Sequence, residues 1–591
     1  MMIQSNLDCR PLLKINRCQL LCSAALMAFL PIILMASNEN SEIIRFEEIA
    51  AKAQVRHVHK TRQFPGKKAD VLEMFTSGGS SVAVADFNND GFEDLFVTSS
   101  DTGAENRLYK NNGDMTFTDV SEQAGVTGGN DPLSIVADAV WFDYDNDGWR
   151  DLLVARFGTP LLYHNEGYGK FKDVTARTGM NRFGNTISAI AFDYDNDGHL
   201  DVLFGNYFPP ENLIELKDPH VLPNNLDNAV NGGGASLWRG NGDGTFLDVT
   251  KKAGLDNQMG WILDAGHADF NNDGHQDIYL AGDYGTDRLY FNNGDGTFRD
   301  LTEAAMGFDT KKGMNAETGD FNNDGWMDVY VTNITDEYMK ECNMLWQNNG
   351  GETFTDVSKE TGTCNTLWGW AAKFGDYDND GWLDIFAVNG LRSASDDNYI
   401  PVLVNMITAP GMDFTDVNNW PDIGEMSWSG YQKKKMFRNL GGQAFKEISA
   451  AAGVDNNLDG RGLGQGDFDN DGLLDFYQVN ANQPALFYRN ITQEAGNWIE
   501  LKLIGSKSNK DAIGARVTLS AGGRTWISEV NGGNGYAGQS TTRLHFGLGS
   551  LGSLGSLGSV EIRWPSGQVD KVTVPVNQIT TIEEAKGVVS K

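Results

Sequence analysis

A nine-residue acidic loop occurs seven times in this chain, and its spacing constrains the fold more than any other feature. The copies are DFNNDGFED (86–94), DYDNDGWRD (143–151), DYDNDGHLD (193–201), DFNNDGHQD (269–277), DFNNDGWMD (320–328), DYDNDGWLD (376–384) and DFDNDGLLD (467–475). After each comes a short apolar strand, such as DLLVAR or DIYLAG. An aromatic segment with a glycine turn follows (LYKNNGD at 108, LYFNNGD at 289), and then a strand of the F-x-D-V type (FTDV at 117, FRDL at 298). Asn-Gly and Gly-Asp between β-rich runs are hairpin signals. Each unit therefore reads as four short antiparallel strands: A before the loop, B after it, C aromatic and D ending the unit. The loops start 50–57 residues apart, stretched to 76 and 91 by insertions. Four strands at that period predict a β-propeller.

The ends of the chain predict how the ring closes. The seventh loop is followed by a C-type strand, LFYRN (486–490), with no D-type strand after it, whereas FEEI (46–49) precedes the first loop. An N-terminal strand completing the last blade leaves no open sheet edge. The expectation is an all-β chain with a seven-bladed propeller over 37–492. A small β-sandwich or barrel follows over 493–591, where WIELKLIG, ARVTLSA and SVEIRWP alternate apolar and polar residues.

So many carboxylates in nine residues are unfavourable without a cation among them. Side chains at positions 1, 3, 5 and 9, with a backbone carbonyl at 7, offer only oxygen, and Gly at 6 permits the bend. That donor set favours Ca²⁺ over softer metals. The ligand candidates are Asp86, Asn88, Asp90 and Asp94; Asp143, Asp145, Asp147 and Asp151; Asp193, Asp195, Asp197 and Asp201; Asp269, Asn271, Asp273 and Asp277; Asp320, Asn322, Asp324 and Asp328; Asp376, Asp378, Asp380 and Asp384; and Asp467, Asp469, Asp471 and Asp475. The three loops with Asn at position 3 are expected to bind more weakly.

These loops between apolar strands resemble FG-GAP (VCBS) repeats. The segments AIGARV (512–517), GYAGQS (535–540), LHFGLG (544–549) and IRWPSG (562–567) resemble an ASPIC/UnbV domain. The combination is similar to the cartilage acidic protein family and its bacterial relatives. The resemblance implies an exported calcium-binding propeller without an established general enzymatic activity.

Composition narrows the partners. Eighty acidic against forty-seven basic residues give a net charge of −33, a field that repels nucleic acid and anionic lipid. Arg10, Lys14 and Arg17 precede an apolar run from Leu20 to Ala36. That is the pattern of a signal peptide over 1–36, cleaved or kept as an anchor, and it predicts a secreted or periplasmic protein. In an oxidising compartment Cys342 and Cys364 are a possible disulfide. Two N-x-T sequons, at Asn333 and Asn490, leave glycosylation open.

Both long insertions, about 205–235 and 389–432, join strand B to strand C. They therefore gather on the face opposite the acidic loops, as does the locally basic D–A connection from 50 to 79. Strand A lines a propeller's channel, and counting back from each loop predicts a polar funnel at that face. The ligand candidates are His59, Glu73, Asp138, Asp264, Asn315, Glu317 and Lys373. The leading expectation is a binding or adhesion module for an extracellular glycan or protein. The alternative is a polysaccharide lyase or hydrolase that uses channel-mouth carboxylates.

Overall fold

The computed structural model describes residues 44–64, 69–215, 217–255, 260–550 and 559–590. The signal-peptide segment 1–36 and the basic Lys67 and Lys68 lie outside the described residues. Seven antiparallel blades follow one another along the chain. In blade 1 the strands are Val82–Ala85, Asp94–Val97, Arg107–Asn111 and Phe117–Asp119. In blade 7, Gly460–Gly466, Asp475–Asn480 and Gln483–Asn490 are joined by the N-terminal strand Phe46–Glu48. Its register, Phe46↔Asn490, repeats Phe117↔Asn111, Phe171↔Asn165 and Phe354↔Asn348. Strand D opens on phenylalanine because that ring fills the wedge between blades: Phe117 lies 6.1 Å from Phe468, and Phe46 lies 5.6 Å from Tyr377.

Each internal D strand leads into a single helical turn. In most blades the turn stops on a left-handed glycine, such as Gly125 (φ +80°), Gly254 (φ +83°) and Gly453 (φ +81°). The N-terminal strand has the same turn, Ala50–Ala53, ended by Gln54 at φ +64°. The first segment is thus a complete D-type unit, translocated to the other end of the chain.

The C-terminal region forms two four-stranded sheets. One holds Asn497–Ile504, Leu544–Gly549, Ile579–Glu583 and Gly587–Ser590; the other holds Arg516–Ala521, Arg524–Glu529, Val560–Arg563 and Val569–Val572. Their apolar residues, among them Ile499, Val517, Trp564 and Ile582, join one core with Phe192 and Phe204 of blade 3. On the opposite face a second core forms from the insertions (Leu213, Tyr399, Leu403, Val417) and the helix Ala69–Thr76. The two insertions meet there through the His220↔Asp416 bridge and the Val417 N–H, which donates to Pro219 O at 3.0 Å. Cys342 and Cys364 form a disulfide. Arg62 of the basic D–A connection is buried, donating to the carbonyls of Asp131 and Pro132.

Deleting everything through Ala50 uncovers the edge of Gln483–Asn490. The expected result is a lower melting temperature with self-association, read by differential scanning calorimetry and light scattering. A truncated chain that melts as the parent does, and stays monomeric, contradicts the closure.

Candidate functional site

Each acidic loop is built by its own carboxylates. In blade 1, Asp86 accepts from the backbone N–H groups of Asp90 (2.9 Å) and Gly91 (3.0 Å). Asp94 accepts from Phe87 N–H at 3.2 Å and from Asn111 N–H of strand C at 2.7 Å. The same pattern recurs at Asp143 and Asp151, and at Asp467 and Asp475. Positions 1 and 9 are buried in all seven loops. Backbone hydrogen bonds to these carboxylates therefore shape each loop.

Position 4 carries a second function. It is asparagine in every loop, always at positive φ (54–60°), which asparagine tolerates better than most residues. Its side-chain amide donates to the position-6 glycine carbonyl of the next loop. The bonds run Asn89 to Gly148, Asn146 to Gly198, Asn196 to Gly274, Asn272 to Gly325, Asn323 to Gly381, Asn379 to Gly472 and Asn470 to Gly91, at 2.8–3.3 Å. Seven bonds close a circle. The strand-C asparagines add a second tie: Asn165 Nδ2 bridges Arg150 O of its own blade and Phe87 O of the preceding one. Asn490 does the same with Leu474 O and Tyr377 O. The sequon asparagines Asn490 and Asn333 are both buried, and Asn333 Nδ2 donates to Cys342 O.

The loops can hold metal ions. In four of them three carboxylate oxygens lie within 4.8 Å of one another: Asp143, Asp145 and Asp147; Asp193, Asp195 and Asp197; Asp376, Asp378 and Asp384; and Asp467, Asp469 and Asp475. In those same four blades the position-3 atoms Asp145, Asp195, Asp378 and Asp469 Oδ1 are buried without a hydrogen-bond partner among the described residues. A buried, unanswered carboxylate oxygen at one repeated place is what a cation would satisfy. Burial likewise pushes Asp151, Asp193 and Asp320 up to about 7.

Strand C brings a basic side chain to five of the loops. Where the position-3 residue is Asp, a basic side chain reaches the loop: His164 (3.6 Å from Asp145), Arg239 (2.6 Å from Asp195), Arg438 (2.7 Å from Asp378) and Arg489 (2.6 Å from Asp469). Where it is Asn271 or Asn322, the corresponding residues are the uncharged Phe291 and Gln347, whereas beside Asn88 it is Lys110, 2.7 Å from Asp90.

The channel is not an open funnel, as the sequence suggested. A glycine-rich segment of the C-terminal region, 531–540, fills it from the metal-loop side. Gly538 and Gln539 pair in parallel with Val82 and Ala83 of blade 1, and Gln539 exchanges two hydrogen bonds with the backbone of Trp141. Glycine is required by contact: a Cβ on Gly532 would meet Ala191 O at 1.7 Å, and one on Gly538 would meet Leu463 O at 2.0 Å.

Five of the expected ligand candidates, Lys373, Glu317, Asn315, Asp138 and Asp264, surround this plug, and His59 and Glu73 lie elsewhere. Lys373 Nζ donates to the carbonyls of Asn534 and Gly538 and lies 3.3 Å from Glu317. Asn315 Oδ1 accepts from Tyr536 N–H and Ala372 N–H. Asp138 accepts from Ser81 Oγ and the N–H groups of Ala139 and Ala189; Asp264 accepts from Ser188 Oγ and Ala316 N–H. Burial pushes Asp138 up to about 6 and Asp264 up to about 8. His59 is buried against Ser100 Oγ at 2.9 Å, and Glu73 is half-buried on Ala69–Thr76.

The C-terminal sheets rest on the asparagine–glycine circle itself. Arg543 donates to Gly91 O and Asn470 Oδ1, Arg524 to Gly381 O, and Lys510 N–H to Asn146 Oδ1. Arg563 and Lys502 reach the loop carboxylates Asp269 and Asp86. On the opposite face the insertions and neighbouring connections enclose a cavity of about 130 Å³ walled by aromatic rings.

Comparison with known proteins agrees with this architecture. Residues 86–139, 143–204, 269–331 and 334–387 match the FG-GAP-like repeat family, and 505–589 match ASPIC and UnbV. Cartilage acidic protein 1 of Xenopus tropicalis is 24% identical over 324 residues, covering 53% of this chain and 43% of the relative. The mouse protein of that name is 26% identical over 318 residues, covering 52% and 42%. The chain thus spans under half the length of these curated relatives. A solved Agrocybe aegerita lectin, described for recognition of non-reducing terminal N-acetylglucosamine, aligns at TM-score 0.36 and 17% identity, over 68% of this chain and 86% of its own.

Two outcomes follow. Asn470→Ala removes one bond of the circle and places Ala at φ +58°. It is expected to cost about 2 kcal/mol, and Asn470→Gly, free of the backbone strain, about half that; urea unfolding checks the order, and equal losses contradict it. Asp264 has a folded pKa raised from the ordinary value near 3.9 to about 8. The stability linked to its protonated form is therefore complete below about pH 4 and is lost as pH rises through about 8. Between pH 5 and 8.5 the melting temperature of Asp264→Asn should fall less steeply than that of the parent; parallel profiles contradict the assignment.

Proposed function

Because the chain belongs to the FG-GAP-repeat proteins that carry an ASPIC and UnbV domain, we propose that it is an exported, calcium-braced binding module. It recognises an extracellular partner, a glycan or a protein, through the face opposite the acidic loops. The observation that carries this reading is the division of the two faces. The loops and the C-terminal sheets occupy one face and bond to each other there. The insertions occupy the other and enclose the aromatic cavity. Insertions in a repeat array gather on the face used for recognition. The disulfide supports an oxidising compartment. Among the described residues no helix is long and apolar enough to cross a membrane.

Calcium would be held by Asp or Asn side chains at positions 1, 3, 5 and 9 of each loop. Its chemistry there is structural: a divalent charge within buried carboxylates, bracing the A–B turn from which the asparagine circle and the C-terminal sheets hang. Chelation should therefore lower the melting temperature, and millimolar Ca²⁺ should restore it. Shortening 389–432 to a tight turn should abolish capture on arrays of immobilised glycans and matrix proteins while the chelator-sensitive melting shift persists. Undiminished capture by the trimmed protein would move recognition to another surface.

A further inference from the structure

The cavity on the insertion face has a composition that selects among ligands. Its walls include Trp368, Trp420, Trp428, Tyr284 and Tyr338. The cluster is held in place by its own contacts: Trp428 lies 5.8 Å from Trp368, and its Nε1–H donates to Tyr338 Oη at 3.1 Å. Two charged residues line the cavity, Asp283 and Lys312. The Lys312 ammonium is answered locally by Glu341 Oε1 and Thr310 O, each at 3.1 Å. Asp283 is 5% exposed, and the hydrogen bond that its carboxylate receives comes from the Tyr207 hydroxyl. Among the described residues no basic side chain forms an ion pair with this carboxylate, although the Lys312 charge acts on it across the cavity.

That arrangement offers a sugar few partners beyond Asp283 and the Trp368 indole N–H, which is buried without a hydrogen-bond partner among the described residues, so most of its hydroxyls would be desolvated. It disfavours an anion through Asp283. It suits a cation whose charge is spread over alkyl groups: such a head group loses little hydration, attracts the negative faces of the rings and completes the carboxylate. The protein uses the same chemistry nearby, where the Arg461 guanidinium sits 4.4 Å from the centre of the Trp370 ring. Resting on the reading that the insertion face is the recognition surface, we propose that this cavity binds a small molecule bearing an alkylated ammonium head, with Asp283 as counter-charge and Trp368, Trp420 and Trp428 as the stacking walls.

The test is isothermal titration of the calcium-loaded full chain with tetramethylammonium, choline and the neutral isostere 3,3-dimethylbutanol, with tryptophan fluorescence as a second readout. Saturable binding of both cations is expected, at least about ten-fold tighter than the isostere. Asp283→Asn and Trp428→Leu, each confirmed folded by its melting temperature and near-ultraviolet dichroism, should each weaken choline about ten-fold. If Asp283→Asn proves unstable, competition of choline by sodium chloride gives the charge dependence without a variant. Equal affinity for choline and its isostere, or no saturable binding up to about 10 mM, overturns the cation assignment. If the isostere binds equally and trimming 389–432 abolishes it, the recognition face survives and only the ligand class fails. Choline binding unchanged by the trimming removes both.

Discussion

Burial of acid at the first and ninth positions of seven loops is the constraint on which this molecule depends. Buried like charges favour opening of the loop unless a proton or a cation joins them. The loop backbone has already committed its N–H groups to those carboxylates, so the shape is preset and the charge is what remains to be neutralised. The position-4 asparagine then transmits each loop's shape to its neighbour. Because the seventh bond returns to Gly91, every loop is tied to the two beside it.

The C-terminal region depends on the same circle. Its arginines donate to the glycine carbonyls and asparagine oxygens that the circle exposes, and its glycine-rich segment runs down the axis. Lys373 and Glu317, set in the channel wall, meet that segment rather than a ligand. Propeller and C-terminal sheets thus form one compact unit. The C-terminal region covers one face and the channel and leaves the insertion side uncovered.

The repeat and its closure were legible in the sequence because both are local patterns of fixed period. FEEI at 46 lies in the register of every other D strand, so a count of elements found it. The asparagine at position 4 is equally regular, but its partner is in the next blade and no spacing within one loop reveals that. The helical turn after each D strand is written as AGV, TGM or AGL and could have been read. The plug was not legible: VNGGNGYAGQ reads as turns, and its partners lie about 70 to 450 residues away in sequence. The carboxylates Asp138 and Asp264 lie on strand A of their blades, but nothing local in the sequence says what fills the space between them.

The most direct measurement is the number of divalent ions held per chain. Purified protein dialysed against calcium and then against metal-free buffer, and assayed by atomic emission against protein concentration, should retain close to seven Ca²⁺ per molecule, one for each loop. Changing Asp145 and Asp147 together to alanine should reduce the count by about one. A count near zero in a folded protein would mean that the buried carboxylates are neutralised by protons alone, and the account of a cation-braced circle would fail.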